Sequence, residues 1–320
     1  MTTRHLIDPD IVEALEMLPA FDFSEEVLPI VRLGFAEQFG SAEVPDSPDV
    51  DTISATITGI DGNSIDLLIH QPLAPSAAPR PAVLHIHGGG YIIGKAAMST
   101  LANRTMAVAA DCVIVSVEYR LAPETRHPGP VEDCYSALCW LHDNAASLGV
   151  DPARLAVMGE SAGGGLAAGL ALLARDRAKV KLIHQHLIYP MLDDRTCTRT
   201  PNPSAGEFVW TPASNHFGWA SLLGHEPGGA GVSPYAAAAR ADDVSGLPST
   251  FIYVGALDLF ADEDITYATR LLHAGVPTEL HVFPGAYHGF EFAVDSPLAK
   301  NAARISAHAL RRALHPAKAI

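Results

Sequence analysis

Apolar residues near the start of the chain recur with the period of an amphipathic helix. Ile11, Leu15 and Leu18 follow the roughly 3.6-residue repeat of one helix face. A second helix is predicted to open at Ser24, because the run Ser-Glu-Glu that begins there is a good N-terminal capping sequence and apolar residues follow it. The pattern therefore predicts two helices within residues 1–50.

Further along, the pattern changes to the two-residue alternation of a β-strand. Ile53, Ala55 and Ile57 alternate with polar residues, and apolar residues dominate again at 65–69. The Asp-Gly pair at residues 61–62 favours a tight turn between the two stretches. Together these residues predict a β-hairpin.

The remainder of the chain alternates short apolar runs with stretches of helical periodicity. The strand-like runs are residues 82–86, 113–117, 155–158, 182–188, 250–254 and 279–283. The helical stretches are residues 102–110, 131–148, 161–175, 262–274 and 299–314. Alternating strands and helices with nearly continuous apolar strands indicate a parallel sheet that is covered on both faces. Counting the hairpin, the prediction is an α/β fold with a mostly parallel eight-stranded sheet flanked by helices.

One long segment interrupts this alternation. Residues 193–246 contain no strand-like run but many Pro, Gly and Ser residues, with aromatic side chains at Phe208, Trp210, Phe217 and Trp219. A structureless loop of that length is improbable inside a compact domain, so an inserted helical cap is predicted. The predicted division is residues 1–50 as N-terminal helices belonging to the cap, residues 51–192 and 247–320 as the main domain, and residues 193–246 as the cap insertion.

Composition and charge narrow the class of protein. Of the 320 residues, 48% are hydrophobic and 18% are charged, which excludes a disordered or collagen-like chain. The formal net charge of -15 repels phosphate backbones and anionic membranes, so neither nucleic acid nor a membrane is expected as a partner. The same charge mildly favours neutral substrates over anionic ones.

The sequence also bears on location and on the cysteines. No stretch approaches the ~20 apolar residues of a membrane span. Asp8 and Asp10 precede any apolar run, unlike the start of a signal peptide, so a soluble and cytoplasmic protein is expected. The four cysteines form no C-x-x-C pair, which favours free thiols over a metal site or a disulfide framework. They are Cys112, Cys134, Cys139 and Cys197.

Residues 159–163 read Gly-Glu-Ser-Ala-Gly and match the pattern G-x-S-x-G. The match alone is weak, but it follows an apolar strand and opens an apolar helix, which is the setting of a nucleophile elbow. A turn that tight needs small neighbours, and it would lift the Ser161 hydroxyl over the positive end of the helix. The alternative is a glycine-rich phosphate-binding turn, but no Lys or Asp follows where a nucleotide site would need one.

Three consecutive glycines follow the strand at residues 82–86, directly after His87. Glycine lets backbone N–H groups approach a ligand closely. With the N–H of Ala162, those of Gly88 and Gly89 would form an oxyanion hole for a tetrahedral intermediate. The alternative is a flexible turn before a helix.

A nucleophilic serine needs a histidine base and an orienting carboxylate. Among 15 histidines, His288 lies in a turn-rich loop just after the last strand, at the same sheet edge as Ser161. Asp258 follows the preceding strand closely, and the order Ser, Asp, His is that of α/β-hydrolases. The nearby acids at residues 262–264 are interpreted as helix-capping residues instead.

With these motifs, the chain resembles the bacterial branch of the hormone-sensitive-lipase family of α/β-hydrolase esterases. The matching segments are residues 87–91, 119–124 with 127–128, 159–164, 189–193, Asp258 and 288–290. The resemblance implies an α/β-hydrolase fold, a triad of Ser161, His288 and Asp258, and an oxyanion hole from Gly88, Gly89 and Ala162. It also implies a cap built from the N-terminal helices and an insertion after the sixth strand. Glu160 stands where much of the family has Asp, and Leu259 where Pro is common.

The expected function is that of a serine carboxylesterase that hydrolyses short-to-medium acyl esters through an acyl-enzyme, with no metal and no organic cofactor. Aromatic and apolar residues near the chemistry suggest a substrate pocket, although the cap aromatics could equally form the cap's own core. The predicted substrate-binding residues are Tyr91, Phe208, Trp210, Met191 and Phe290.

Several alternatives stay open at the level of sequence. The same three residues would also serve cleavage of a lactone, amide or carbamate, or acyl transfer to an alcohol. A non-catalytic receptor of the same fold is the alternative outside enzymes, although such proteins typically lose the serine or the histidine. The last strand, from Glu279 to Phe283, should lie at the sheet edge, where a homodimer could form.

Overall fold

The computed structural model describes residues 2–18, 21–39 and 46–316. Its strands are β1 (Val50–Thr58), β2 (Ser64–Pro72), β3 (Arg80–Ile86), β4 (Val113–Val117), β5 (Val150–Glu160), β6 (Leu182–Ile188), β7 (Ser249–Gly255) and β8 (Thr278–Phe283). Its α-helices are α1 (Val12–Glu16), α2 (Leu28–Phe39), α3 (Thr100–Ala110), α4 (Gly129–Asp143), α5 (Ala162–Arg177), α6 (Pro212–Leu223), α7 (Ala261–His273) and α8 (Pro297–Leu314). In these described ranges, no helix combines the length and the apolar character that a membrane crossing requires.

The eight strands form one sheet in the order β1-β2-β4-β3-β5-β6-β7-β8. The first two pairs, β1–β2 and β2–β4, are antiparallel, and the other five pairs are parallel. The predicted mostly parallel eight-stranded sheet is therefore confirmed. Because the central strands are parallel, their carboxyl ends meet at one edge of the sheet, where the loops after β3, β5, β7 and β8 converge.

The sheet is covered on both faces, as the continuous apolar strands indicate. All five residues of β4 are buried, as are the apolar residues of β3. Helix α5 is buried all round from Ala162 to Ala174, because it packs against the centre of the sheet on one side and chain segments cover its other side. A helix with apolar residues on every face is stable only in such an enclosed position.

Several helix boundaries differ from those predicted from the sequence. Helix α4 ends at Asp143 rather than at residue 148, because the side chain of Asn144 donates to the Trp140 carbonyl at 2.8 Å and the chain then turns into β5. Helix α2 begins at Leu28, and Ser24 instead forms a turn whose hydroxyl accepts from the N–H of Val27 at 3.3 Å.

Residues 193–246 contain one α-helix, α6, and two short 3-10 turns, at Asp194–Cys197 and Ala238–Arg240. The segment contains no strand, and much of it is irregular, so it is less helical than predicted. The N-terminal residues pack against it. The backbone N–H of Thr3 donates to the Glu207 carboxylate at 2.5 Å, and that of Phe23 donates to the Ser214 hydroxyl at 3.1 Å.

Candidate active site

The turn between β5 and α5 carries Ser161, which has φ 57° and ψ −121°. Non-glycine residues rarely adopt positive φ, and such conformations persist only where the surroundings enforce them. A Cβ at Gly159 would lie 2.3 Å from the Gly163 carbonyl oxygen, and a Cβ at Gly163 would lie 2.0 Å from that of Ile86. The backbone is packed so closely here that only glycine fits on either side of the serine.

Three backbone hydrogen bonds hold the strained serine in place. Its N–H donates to the Ile188 carbonyl at 2.9 Å, and its carbonyl accepts from the N–H groups of Met191 at 2.9 Å and Gly165 at 3.0 Å. The first two partners belong to the end of β6 and the loop after it, so the neighbouring strand fixes the turn. The hydroxyl therefore lies over the N-terminal end of α5, as the sequence predicts.

The structure brings Ser161, His288 and Asp258 into one hydrogen-bonded chain. The serine Oγ lies 3.0 Å from Nε2 of His288, and Nδ1 of His288 lies 2.7 Å from Oδ2 of Asp258. The other carboxylate oxygen of Asp258 accepts from the N–H of Phe260 at 3.0 Å, and the Asp258 side chain is completely buried. A buried carboxylate with both oxygens bonded is a fixed acceptor, which places the acceptor nitrogen Nε2 toward the serine.

Aromatic rings surround the imidazole of His288. The ring centroids of Tyr189 and Phe260 lie 4.7 and 5.3 Å from it in edge-on arrangements, and that of Trp210 lies 6.4 Å away. Only Trp210 is among the residues predicted from the sequence. Tyr189 and Phe260 carried a signal nonetheless, because each follows a strand that ends at the same sheet edge. The rings hold the imidazole in place and limit the access of water to it.

The glycine loop after β3 lies directly against the serine turn. A Cβ at Gly88 would stand 3.0 Å from the Glu160 carbonyl oxygen and 3.4 Å from Cβ of Ser161. Gly89 has φ +116°, and a Cβ there would lie 2.2 Å from the Ile93 carbonyl oxygen. The sequence predicts the N–H groups of Gly88, Gly89 and Ala162 as the oxyanion hole, and none of them is taken up by a protein acceptor in the part of the chain that the structure describes.

His87 fixes the conformation of this loop. Its Nδ1 lies 2.8 Å from the Gly88 carbonyl oxygen, and its ring stacks on Tyr119 at 4.3 Å between centroids. The Tyr119 hydroxyl in turn donates to the His87 carbonyl at 3.0 Å. Burial lowers the pKa of His87 to about 4, so the ring is neutral near pH 7 and carries one proton, which Nδ1 donates. From the sequence alone, His87 is recognisable only as part of the glycine motif.

The predicted pocket residues occupy different places. Trp210 lies beside His288, whereas the Tyr91 hydroxyl donates to the Met191 carbonyl at 3.0 Å and both residues are fully buried. Phe208 is half-buried, with its ring 6.4 Å from that of Tyr287.

Phe290, which the sequence also places among the substrate-binding residues, lies in the core. Its side chain is fully buried, and its ring packs against Phe283 at 5.5 Å and Tyr253 at 6.0 Å. The reason is local: Gly289 has φ +73°, and the 3-10 turn Phe290–Phe292 that follows directs the phenyl ring into the protein. The contacts described for Phe290 are therefore with core aromatic rings, and its part in substrate binding stays a prediction.

An open groove of about 560 Å³ lies between the N-terminal segment and α6. Its lining residues are Phe23, Ser24, Glu25, Glu26, Ala213, His216 and Phe217. The Phe23 ring lies 5.7 Å from that of Trp210, which connects the groove to the wall of the site. Ser161, His288 and Trp210 are only 6%, 7% and 5% exposed, so the site itself is nearly closed.

The sequence analysis interprets the acids at 262–264 as helix-capping residues, but two of the three are buried. Asp262 is exposed, but Glu263 and Asp264 are buried. The Glu263 carboxylate accepts from the N–H groups of Leu192 and Asp193, which ties α7 to the chain after β6. Burial raises the pKa of Glu263 to about 8 despite these bonds. Its role is to support the segment that leads from the sheet into residues 193–246.

The chain is similar in sequence to a hydrolase family and to a carboxylesterase. Residues 83–292 match the model of a family described by its alpha/beta hydrolase fold. Carboxylesterase NlhH of Mycobacterium tuberculosis is 38% identical over 238 residues, which cover 73% of this chain and 74% of the relative.

Solved structures agree over almost the whole chain. A structure titled Bacterial Heroin Esterase is 39% identical, with a TM-score of 0.90, and the match covers 98% of this chain and 100% of the other. The esterase LipW from Mycobacterium marinum is 34% identical, with a TM-score of 0.86 and 98% coverage of both chains.

Proposed function

Since this chain belongs to the hormone-sensitive-lipase family of α/β-hydrolase esterases and is a carboxylic ester hydrolase, we propose a specific activity for it. It is a serine carboxylesterase that acts on short-to-medium acyl esters. The observation that carries the proposal is the hydrogen-bonded chain from Ser161 Oγ through His288 to Asp258, with distances of 3.0 and 2.7 Å. We assign the oxyanion hole to the N–H groups of Gly88, Gly89 and Ala162, and the absence of a protein acceptor for them among the described residues supports this assignment.

In the first step, Ser161 attacks the ester carbonyl carbon while Nε2 of His288 takes the serine proton. The imidazolium that forms is stabilised by Asp258, which keeps Nδ1 as the donor nitrogen. The negative charge moves to the former carbonyl oxygen, which accepts hydrogen bonds from the N–H groups of Gly88, Gly89 and Ala162. One such donor is typically worth about 3 kcal/mol in the transition state.

The alcohol leaves next, and hydrolysis of the acyl-enzyme then releases the acid. His288 donates its proton to the leaving alcohol oxygen as the C–O bond breaks, and an acyl group remains on Ser161. Water then enters, gives its proton to Nε2 and attacks the acyl carbon, and the same N–H groups stabilise the second oxyanion. Collapse of that intermediate returns the proton to Ser161, so no metal or organic cofactor takes part in the cycle.

The substrate range follows from the enclosure of the site. With Trp210 beside His288 and both catalytic side chains almost inaccessible, a short acyl group fits better than a long lipid chain. We assign residues 1–50 and 193–246 to a cap over this site, which their contacts support. Thr3 is bonded to Glu207, and Phe23 packs against Trp210.

The proposal is tested with p-nitrophenyl esters from acetate to laurate. We expect the highest kcat/KM between acetate and hexanoate, and a maximum at laurate would contradict the substrate class. In Ser161→Ala, kcat should fall by roughly four to six orders of magnitude. Matched lactone, anilide and carbamate substrates belong in the same series, because a higher kcat/KM on one of them would identify a different reaction of the same triad.

A further inference from the structure

Glu160 immediately precedes the proposed nucleophile, but its side chain lies against the glycine loop. Its Cγ is 3.3 Å from the position that a Cβ at Gly88 would take. The side chain is partly buried and belongs to the last residue of β5. It therefore lies at the contact between the serine turn and the loop whose N–H groups would bind the oxyanion, and nothing in the proposed chemistry yet uses it.

The Glu160 carboxylate is bonded to both flanks of that loop. One oxygen lies 2.9 Å from Nε2 of His85, in β3 and therefore before the glycines. The other oxygen accepts from the hydroxyl of Ser99 at 2.9 Å, in the 3-10 turn Ala96–Ser99 that follows the loop. A single carboxylate thus joins the segment before the loop, the segment after it and the strand that ends at Ser161.

The histidine partner is itself fixed by buried polar groups. Nδ1 of His85 lies 2.8 Å from the Ser116 hydroxyl oxygen, which also accepts from the side-chain amide of Asn103 at 2.8 Å. His85, Ser116 and Asn103 are all at most 2% exposed. Burial raises the pKa of Glu160, but the attraction of His85 and the hydrogen bonds from His85 and Ser99 bring that pKa below its ordinary value, so Glu160 is ionised at neutral pH.

From this arrangement we propose that Glu160 is a positioning residue, whose carboxylate holds the oxyanion-hole loop at its working distance from Ser161 through His85 and Ser99. The inference rests on the proposed function. Donors at an oxyanion hole act only within about 0.5 Å of the productive position, so a small displacement of the loop lowers catalysis without unfolding the protein.

Whether kcat rises or falls when Glu160 is replaced by a neutral residue distinguishes a positioning role from a direct electrostatic role. A carboxylate near the oxyanion site repels the negative charge of the tetrahedral intermediate. If Glu160 acted only through its charge, replacing it with a neutral residue would raise kcat. If it acts by holding the loop, the same replacement lowers kcat, because an amide loses the charge-assisted bonds to His85 and Ser99.

The experiment compares Glu160→Gln and Ser99→Ala with wild type. We expect kcat to fall by ~10- to 100-fold in Glu160→Gln and by ~3- to 10-fold in Ser99→Ala, with KM within about twofold. The rate at which a fluorophosphonate modifies Ser161 should fall by the same factors, because the phosphonyl oxygen uses the same N–H donors. In the double variant the two losses should not add, because they remove one shared contact.

The matched control is Ser306→Ala. The Ser306 hydroxyl lies 2.8 Å from Nε2 of His186, so this variant also removes a buried serine hydroxyl from a histidine in a strand, but away from the proposed site. This control should keep wild-type kcat and labelling rate whatever its loss of thermal stability. If Glu160→Gln does not fold, Ser99→Ala decides the question alone.

The labelling experiment distinguishes failure of the positioning role from failure of the proposed function. If wild type is labelled at Ser161 and both variants react at the wild-type rate or faster, the positioning role is overturned while the proposed function stands. If wild type itself is not labelled at Ser161, the proposed function fails first.

Discussion

The indole ring of Trp210 lies 6.4 Å from the imidazole ring of His288, centroid to centroid, at an interplanar angle of 39°. A Cβ at Gly90 would lie 2.1 Å from Cη2 of the indole, so the ring fills the space beside the glycine loop. Trp210 is also close to Phe23, at the groove between the N-terminal segment and α6. One side chain therefore joins the base, the glycine loop and the proposed cap.

Trp210→Ala should change which esters are hydrolysed. Removal of the indole enlarges the closed site, so the preferred acyl chain should lengthen, and kcat/KM for the acetate ester should fall by roughly 10-fold because a short acyl group is held less firmly. The p-nitrophenyl ester series measures both effects. Trp210→Phe, which keeps an aromatic wall, should remain close to wild type, and an unchanged chain-length profile in Trp210→Ala would exclude this residue as a determinant of specificity.

Asp258→Asn should lower kcat by about 10³- to 10⁴-fold with little change in KM. An amide can donate to Nδ1 of His288 and so stabilise the tautomer that carries its proton on the wrong nitrogen. The control is Asp262→Asn, which alters an exposed acid in the first turn of α7 and should keep wild-type kcat. Steady-state kinetics of the two variants identify the acid, and equal losses in both would argue against Asp258.

Buried His184 should make stability depend on pH. Burial lowers the pKa of its imidazole from 6.5 to about 4, and its ring nitrogens lie 3.0 Å from the Ser249 hydroxyl and 3.3 Å from His186. Between these two values the unfolded chain binds a proton that the folded chain excludes, so this contribution to stability is present above pH 6.5 and is lost as the pH falls.

Urea unfolding of wild type and His184→Gln measures this contribution. Taking the difference in free energy of unfolding between the two proteins removes the pH-dependent contributions that both share. One of these comes from Glu263, whose raised pKa acts in the opposite direction. From pH 7.5 to pH 5.5 the wild-type advantage should shrink by about 1 kcal/mol. A difference that stays constant over this range would show that His184 is protonated equally in both states.

The outer edge of β8 should mediate a homodimer. The strand lies at the end of the sheet, where Val282 is 41% exposed. Unprotected edge strands pair readily with another chain, and a lysine in the strand opposes such pairing. Light scattering should therefore give the mass of a dimer for wild type and of a monomer for Val282→Lys, with equal specific activity. A monomeric wild type would contradict the proposed interface.

The features that could be read from the sequence are those set by local backbone rules. Six strands are predictable because buried parallel strands have continuous apolar runs, and the first two because their residues alternate around an Asp-Gly turn. Asp258 is distinguishable from Asp262 because one follows a strand and the other opens a helix. The serine turn is predictable because so tight a strand-to-helix connection admits only small neighbours, which Gly159 and Gly163 supply.

Other features depend on contacts between residues distant in sequence. Phe290 follows His288 by two positions, yet a left-handed Gly289 sends it into the core. The burial of Glu263 arises from its bonds to the chain after β6, and the bonds of Glu160 to His85 and Ser99 join three separate segments. A single sequence contains no local pattern for such pairings, so only the three-dimensional arrangement reveals them.

The most direct test of the central claim is to treat the protein with a fluorophosphonate, digest it and locate the modified residue by mass spectrometry. We predict one adduct, on Ser161, which abolishes ester hydrolysis in proportion to labelling and is lost in Ser161→Ala. In His288→Ala the adduct should form at least about 100-fold more slowly, because the serine loses its base. A fully active protein with no adduct, or an inactivating adduct on another residue, would contradict the proposed site.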